Sequence, residues 1–321
     1  MALPGVPGTQ DYTMSGDARI PWLFSRIYRQ KFYAETCCTN ICETRFTGEL
    51  KGVGNQVTIN TVPTVRVYTP VIGGRRQWQQ CTSPPVTLTV NRELAFDCLI
   101  PKEQKVQMWD DDFMGTLSKD ARQQMKISID TLFFASNYAS AAAANVGVAA
   151  GVKSGATAAV AGTGYNMGAT LYPVGINKVN AIEKLFDCES VGDEQTWPDE
   201  DRAVVIPTWY KNCLNASDYK DESMTGRTST FNGGRIGTVG KFKLYHSNLL
   251  TPIADGSGKV AYPIMFLHKA AINYVSQLAD VEYFEKLQEV RGAGLSGLNI
   301  FDWAVTYPDA LGVLYCYDNR S

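Results

Sequence analysis

The sequence predicts an α+β fold on three observations, a long helical run, a strand-rich stretch and a region in which short helices and strands follow one another. Within residues 110–145, DDDFMGTLSKDARQQMKISIDTLFFASNYASAAAAN, the residues Phe113, Leu117, Ala121, Met125, Ile129 and Leu132 step by four, four, four, four and three, tracing one face of an α-helix. Residues 47–101 alternate apolar and polar side chains in short runs broken by Gly and Pro, as hairpins do. From Pro173 onward, short helix-like and strand-like patterns follow one another.

The long helical run is the expected beam of the molecule. Asp110, Asp111 and Asp112 suit the positive end of a helix dipole, and no proline follows before Pro173. At 1.5 Å per residue the run would span roughly 45 to 55 Å, against an average helix of ~11 residues. Gly115 is its weak point, costing about 1 kcal/mol relative to alanine. Lys119, Asp120, Arg122, Lys126 and Asp130 fall largely off the apolar stripe.

Residues 1–17 are rich in Gly, Pro and polar side chains and read as an extended arm. A helix is expected over 20–38, with Trp22, Leu23, Ile27, Phe32 and Tyr33 as its apolar positions and Arg26, Arg29 and Lys31 as a basic face. Strands are expected at 56–62, 65–68, 86–90 and 94–100. Between them lies Pro70-Val-Ile-Gly-Gly-Arg-Arg-Gln-Trp-Gln-Gln, so the region reads as a long two-stranded projection. An isolated hairpin has too little core to stand alone in water, so it implies a covering chain. Arg75, Arg76 and Trp78 are residue types enriched at interface anchors. The Ala/Gly stretch 141–168 reads as a pliable connector. Beyond it come a helix at 176–186, a buried strand at 203–206, a helix at 208–214 capped by Thr208 and a polar loop at 217–232. Strands at 237–246 and from 264, a helix at 268–282, and strand-like residues 299–317 broken at Pro308 complete the chain. Gly233, Gly234 and Gly237 are read as a turn needing positive φ.

Composition excludes several function classes. The 321 residues are 45% hydrophobic and 19% charged, enough for a sizeable core in one or two domains. With 30 basic residues against 32 acidic, no global basic field exists, so any nucleic-acid contact is local and weak. The N-terminus has no basic segment followed by an apolar run, and no run of 18 apolar residues occurs, so the chain reads as made in the cytosol. Cys37, Cys38 and Cys42 cluster, but there is no CxxC and the two histidines, His246 and His268, are distant, which argues against zinc. The eight cysteines read as small buried hydrophobes in a reducing compartment. The glycine-rich stretch lacks both Gly-Lys-Ser/Thr and GxGxxG, so no cofactor is expected. His246-Ser247 with Asp302 supplies triad residue types, but no GxSxG is present and no catalytic residue is assigned. Asp110-Asp-Asp is read as a dipole cap before a cation site.

The order of segments carries a resemblance. AVVIPTWYKNCLNASDYKD, NGGRIGTVGKFKLYHSNLL, FLHKAAINYVSQLADVEYFEKLQ and the returning GAGLSGLNIFDWAV follow the arm, hairpin and long helix, and together they resemble the major capsid proteins of tailed bacteriophages, the Hong Kong 97-like fold. The similarity runs from about residue 20 to the end; its motifs form the fold and none is diagnostic alone. The resemblance implies an N-terminal arm at 1–46, an E-loop at 47–101 and a peripheral domain with the spine helix at 102–172. It further implies an axial domain at 173–288 and a closing peripheral strand at 289–321. The implied function is a virion coat protein assembling as pentamers and hexamers, with Arg26, Arg29, Arg75, Arg76 and Trp78 at subunit contacts. The implied partners are a portal protein, a decoration protein and packaged double-stranded DNA. No lysine lies between Lys51 and Lys102, so the Lys–Asn isopeptide weld of some members is not expected. No long helical extension precedes the E-loop, which implies a separate scaffolding protein. The alternative is an encapsulin, a cellular cargo shell of the same fold.

Overall fold

The structure, a computed structural model, describes residues 32–48, 55–63, 65–69, 72–76, 78–83, 85–102, 113–151, 164–217, 231–232, 235–254, 258–287 and 291–320. Its elements are α1 (Cys38–Ile41), β1 (Gln56–Asn60), β2 (Pro85–Thr89), β3 (Arg92–Pro101), α2 (Phe113–Asn137), β4 (Val174–Ile176), α3 (Ala181–Glu194), β5 (Arg202–Ile206) and α4 (Thr208–Asn215). There follow β6 (Phe231–Asn232), β7 (Arg235–Ile236), β8 (Thr238–Val239), β9 (Phe242–His246), β10 (Ile253–Ala254), β11 (Val260–His268), β12 (Ile272–Phe284), β13 (Gly292–Val305) and β14 (Leu311–Asp318).

A seven-stranded mixed sheet runs β4-β14-β11-β5-β9-β8, with β10 added beside β11. All five residues of β5 are buried, the mark of a strand covered on both faces. Because side chains alternate along a strand, Val204 and Ile206 enter a core with Leu185 and Cys188 of α3 and Tyr210 and Leu214 of α4. Ala203 and Val205 enter a second core with Ile129, Phe133 and Phe134 of α2 and Cys38 and Ile41 of α1. A separate three-stranded sheet, β12-β13-β3, sends Tyr274, Phe301 and Trp303 into that second core. The segment 289–321 therefore divides between the sheets, β13 in one and β14 in the other.

The beam ends before its pattern does, at Asn137 instead of Asn145. α2 has 25 residues, about 37 Å at 1.5 Å each. Near its end Ser136 Oγ donates to Leu132 O (3.0 Å) and Asn137 Nδ2 donates to Phe133 O (3.1 Å), so side chains serve carbonyls there. The chain then turns through Tyr138–Ser140 and Ala143–Asn145 as 3-10 segments. The buried stripe also differs from the predicted one: Ile129, Asp130, Phe133, Phe134 and Asn137 are buried, while Leu132 is exposed. Asp130 Oδ2 accepts from the amides of Cys37 (2.6 Å) and Cys38 (3.3 Å). It thereby serves the free N–H groups of α1, which has no side-chain cap of its own. Burial pushes this carboxyl above the usual range, against the two amide hydrogen bonds that oppose the shift.

Several expected elements are corrected. The helix predicted at 268–282 is β12, a strand paired with β13. The period-two pattern is hidden by a bulge between Ser276 and Leu278, which resets the alternation, and pairing overrides the helical spacing of Ala271, Tyr274, Val275 and Leu278. The helix predicted from 176 starts at Ala181. Asn177 Oδ1 accepts from the amides of Val179 (2.9 Å) and Asn180 (3.0 Å), holding a turn in its place. Thr208 is the first residue of α4, not its cap; Pro207 holds that position and no side-chain bond closes it. The strand predicted at 237–246 is the hairpin β8–β9. Its loop is Gly240-Lys241, and Gly240 has φ +56, the left-handed conformation that glycine adopts without strain. Of the three glycines read as a turn, Gly237 has no positive φ and no atom within 4 Å of its would-be Cβ, and Gly233 and Gly234 lie outside the described residues. The connector is pinned at its ends, where Ala150 and Tyr165 exchange amide–carbonyl hydrogen bonds of 2.9 and 2.7 Å. The 20–38 helix, apart from irregular 32–37 and Cys38 in α1, also lies outside the described residues, as do Arg26, Arg29 and Asp110–112.

Two expected outcomes follow from the packing. A Cβ at Gly312 would sit 2.2 Å from Phe266 Cζ, and that ring is fully buried opposite it on β11. Gly312→Ala should cost about 1–3 kcal/mol, read as a lower denaturation midpoint; an unchanged midpoint would reject this register. For Asp130, the raised carboxyl pKa means the folded state holds its proton more tightly than the unfolded chain. Its contribution is full below the unfolded value and is lost as pH rises through the raised one. Thermal melts from about pH 4 to 7 should therefore show Asp130→Asn gaining on the wild type as pH rises; parallel curves would contradict the buried ionisation.

Candidate assembly interface

Residues 56–89 build a projecting arm with a firm root. β1 and β2 pair antiparallel from Gln56↔Thr89 to Asn60↔Pro85. In β1, Val57 and Ile59 are buried and their neighbours exposed. With Leu88 and Val90 they pack on Val275 of β12, joined by Ile300 and Ala304 of β13 and by Phe46. The return strand is locked at Asp302. Its Oδ2 accepts from Asn91 N (3.1 Å), and its Oδ1 accepts from Arg92 Nε (3.0 Å) and Trp303 N (2.8 Å). The Arg92 guanidinium lies 4.2 Å from the Trp303 ring centroid, a cation–π contact. A recess of about 430 Å³ opens beside it, lined by Arg92, Ser136, Asn137, Trp303, Val305 and Pro308 among others.

Beyond Asn60 and Pro85 the ladder stops. Among the described residues 65–68 there is no strand, in contrast to the sequence expectation. Gln79 takes the place of a strand partner: its Nε2 donates to Arg66 O (2.9 Å) and its Oε1 accepts from Arg66 N (3.2 Å). Lower down, Ser83 Oγ donates to Thr61 O. Pro63 has no N–H to give a ladder. The limbs are thus tied by side chains and carry no core. Val62 is 87% exposed, Val67 91%, Ile72 103% and Trp78 94%. Arg75 and Arg76 are exposed on the same arm, so three of the predicted contact residues share one uncovered projection. Val62, Val67 and Ile72 were not named as contact candidates: Val62 and Val67 sit in alternating runs that read as strands with one covered face, and Ile72 sits in the turn-rich stretch between them.

Other predicted groupings are not brought together. His246 Nδ1 is 3.7 Å from Glu35 Oε2, Ser247 Oγ accepts from Leu249 N (3.1 Å), and Asp302 holds Arg92, so the three triad residue types serve separate contacts. All eight cysteines are free thiols; six are buried, Cys98 is half-buried and Cys81, on the arm, is exposed, against the expectation of burial. Among the described residues no group of three or more His, Cys, Asp or Glu is placed to hold a metal ion, and no helix is long and apolar enough to cross a membrane.

Solved structures share this architecture. A chain of Mycobacterium phage Che8 superposes with TM-score 0.67 at 19% identity, over 92% of this chain and 96% of that one. A chain of the capsid of Cyanophage P-SCSP1u gives 0.70 at 14% identity, over 94% of each. The mature capsid of bacteriophage PhiM1 gives 0.64 at 12%, over 95% of this chain and 93% of that one. The chain has the fold of these phage capsids. The Hong Kong 97-like resemblance thus holds for the α+β fold, across nearly the whole chain. No protein-family model and no curated protein matches the sequence.

The root of the arm makes its own test. Asp302→Ala strands the Asn91 amide and the Arg92 guanidinium and should cost about 1–3 kcal/mol, seen as a lower melting temperature of the unassembled chain. A variant as stable as the wild type would show that β1, β2 and β3 do not depend on that carboxylate.

Proposed function

We propose that the chain is a major capsid protein, a subunit that assembles with copies of itself into the icosahedral shell around the double-stranded DNA of a tailed phage. The observation that carries this reading is the arm: Val67, Ile72 and Trp78, each more than nine-tenths exposed, project from a fold shared with phage capsids. Exposed apolar groups of this size on a rooted projection call for a covering surface. A neighbouring subunit supplies it in a repeated heterologous contact that closes around symmetry axes. Arg75 and Arg76 flank the same contact, and Arg26 and Arg29, on the basic face read for the 20–38 helix, are further subunit-contact candidates.

In this reading the arm is the E-loop and α2 the spine helix. β12-β13-β3 with α2 forms the peripheral domain, and the seven-stranded sheet with α3 and α4 forms the axial domain. Sheet membership favours edges in which residues 311–318 join the axial domain and 272–284 the peripheral one. Pentamers and hexamers of the chain are the assembly units; a separate scaffolding protein, a portal and a decoration protein are the partners the resemblance implies. Each contact should sit near the micromolar scale, about 8 kcal/mol, so that misplaced subunits dissociate while many contacts together hold the shell.

Trp78→Ala tests the reading. Because the side chain is 94% exposed, the melting temperature of the unassembled chain should not move, whereas shells imaged by electron microscopy should break up at lower denaturant or temperature. A destabilised monomer with unaffected shells would reject the arm as the subunit clamp.

A further inference from the structure

α2 changes chemistry along one face. At 3.6 residues per turn, Lys119, Arg122 and Lys126 fall within about 80° of one another and of Asp130, Phe133 and Asn137. The last three are buried in the core, yet the first three, one to five turns earlier on the same side, are exposed. The opposite side of those early turns, Leu117, Ala121 and Met125, is half-buried. The helix therefore runs past the edge of the core with its core-facing side turned basic.

Nothing in the helix balances that charge. Lys119 and Arg122 stand three residues apart and Arg122 and Lys126 four, spacings at which like charges destabilise a helix. The only acid three or four residues from any of them is Asp130, which is buried and engaged by the Cys37 and Cys38 amides. Asp120 points elsewhere, accepting from Tyr33 Oη at 2.7 Å. Among the described residues no hydrogen bond or ion pair occupies the three basic groups.

We propose that this half of α2 is a contact surface for the phosphate backbone of double-stranded DNA, which places it on the inner face of the shell. The identity of the polyanion rests on the capsid reading. The row spans about 10 Å along the helix axis, and over that length a duplex presents about six phosphate charges. Three long side chains with no fixing hydrogen bonds suit a uniformly charged backbone better than one carboxylate in a protein socket. The chain as a whole carries −2, so attraction is confined to such patches and packaged DNA is not held tightly everywhere.

The test uses unassembled full-length chain and a fluorescent duplex of about 30 base pairs, titrated from 50 to 200 mM salt. Three phosphate contacts predict a log–log slope of about −2.7, close to a 40-fold loss of affinity across that range. The triple variant Lys119→Gln, Arg122→Gln, Lys126→Gln keeps good helix formers; it should bind with a slope near zero and still form shells. Should it fail to fold, each single Gln variant should reduce the slope by about 0.9. An unchanged slope overturns the proposal. So does loss of shells with DNA binding intact, which would mark a subunit contact, or wild-type shells whose subunits bind no duplex. A wild type with the expected slope that never forms shells leaves the DNA surface standing and defeats the capsid reading instead.

Discussion

The fold depends on a central strand that has no solvent face. Every residue of β5 is buried, and its side chains alternate into two cores, so each face requires its own cover. α3 and α4 close one side; α2, α1 and the β12–β13 pair close the other. The strand even begins with a charge inside: Arg202 is 0% exposed. Its Nη1 lies 2.7 Å from Asp193, Nε donates to Pro198 O (2.7 Å) and Nη2 donates to Trp197 O (2.6 Å). Burial raises the Asp193 carboxyl, but hydrogen bonds from Lys241 and Arg202 outweigh it and hold the pKa below the usual range. Lys241 sits in the β8–β9 loop that Gly240 turns, so one ion cluster fastens α3, β5 and that hairpin together.

The arm is what this arrangement leaves out. Both cores are filled by elements that return to the central sheet, whereas the described limbs beyond Asn60 and Pro85 are tied to each other through Gln79 and Ser83. A segment held by side-chain bonds keeps its direction without gaining a core. Its apolar groups remain available to a surface that one chain does not possess. A firm root with uncovered limbs suits a contact made and unmade during assembly, since ordering is already partly done before the neighbour arrives.

What could be read from residues alone follows from which interactions are local. The strands read at 56–62, 86–90, 94–100 and 203–206, which match β1, β2, β3 and β5 within a few residues, were legible because alternation or continuous apolar character reflects burial directly. β12 was not, because the bulge near Gln277 breaks its period and the pairing that stabilises it comes from a strand further along the chain, from Phe284↔Gly294 to Ile272↔Val305. The start of α3 was missed because Asn177 and Asn180 form a local turn that competes with the helix, a choice that apolar spacing does not record. Trp78, Arg75 and Arg76 could be singled out by residue type, but the Asp302 lock at the root of their arm could not, since an aspartate beside a tryptophan carries no signal until Arg92 is brought to it.

That lock explains how a projecting arm can bear load. Arg92 stacks on Trp303, Trp303 meets Phe133 edge-on at 5.5 Å between centroids, and Phe133 meets Phe134 in the same way at 5.5 Å. Both phenylalanines are fully buried in the second core. A pull on the arm is therefore passed from the root of β3 into β13, then into α2 and the central sheet, through contacts that must be broken together. A hairpin held only by its ladder would instead peel one pair at a time. In the proposed shell, the continuous path from Arg92 to Phe134 would let weak, reversible contacts at the tip be combined with a subunit that keeps its fold while they are strained.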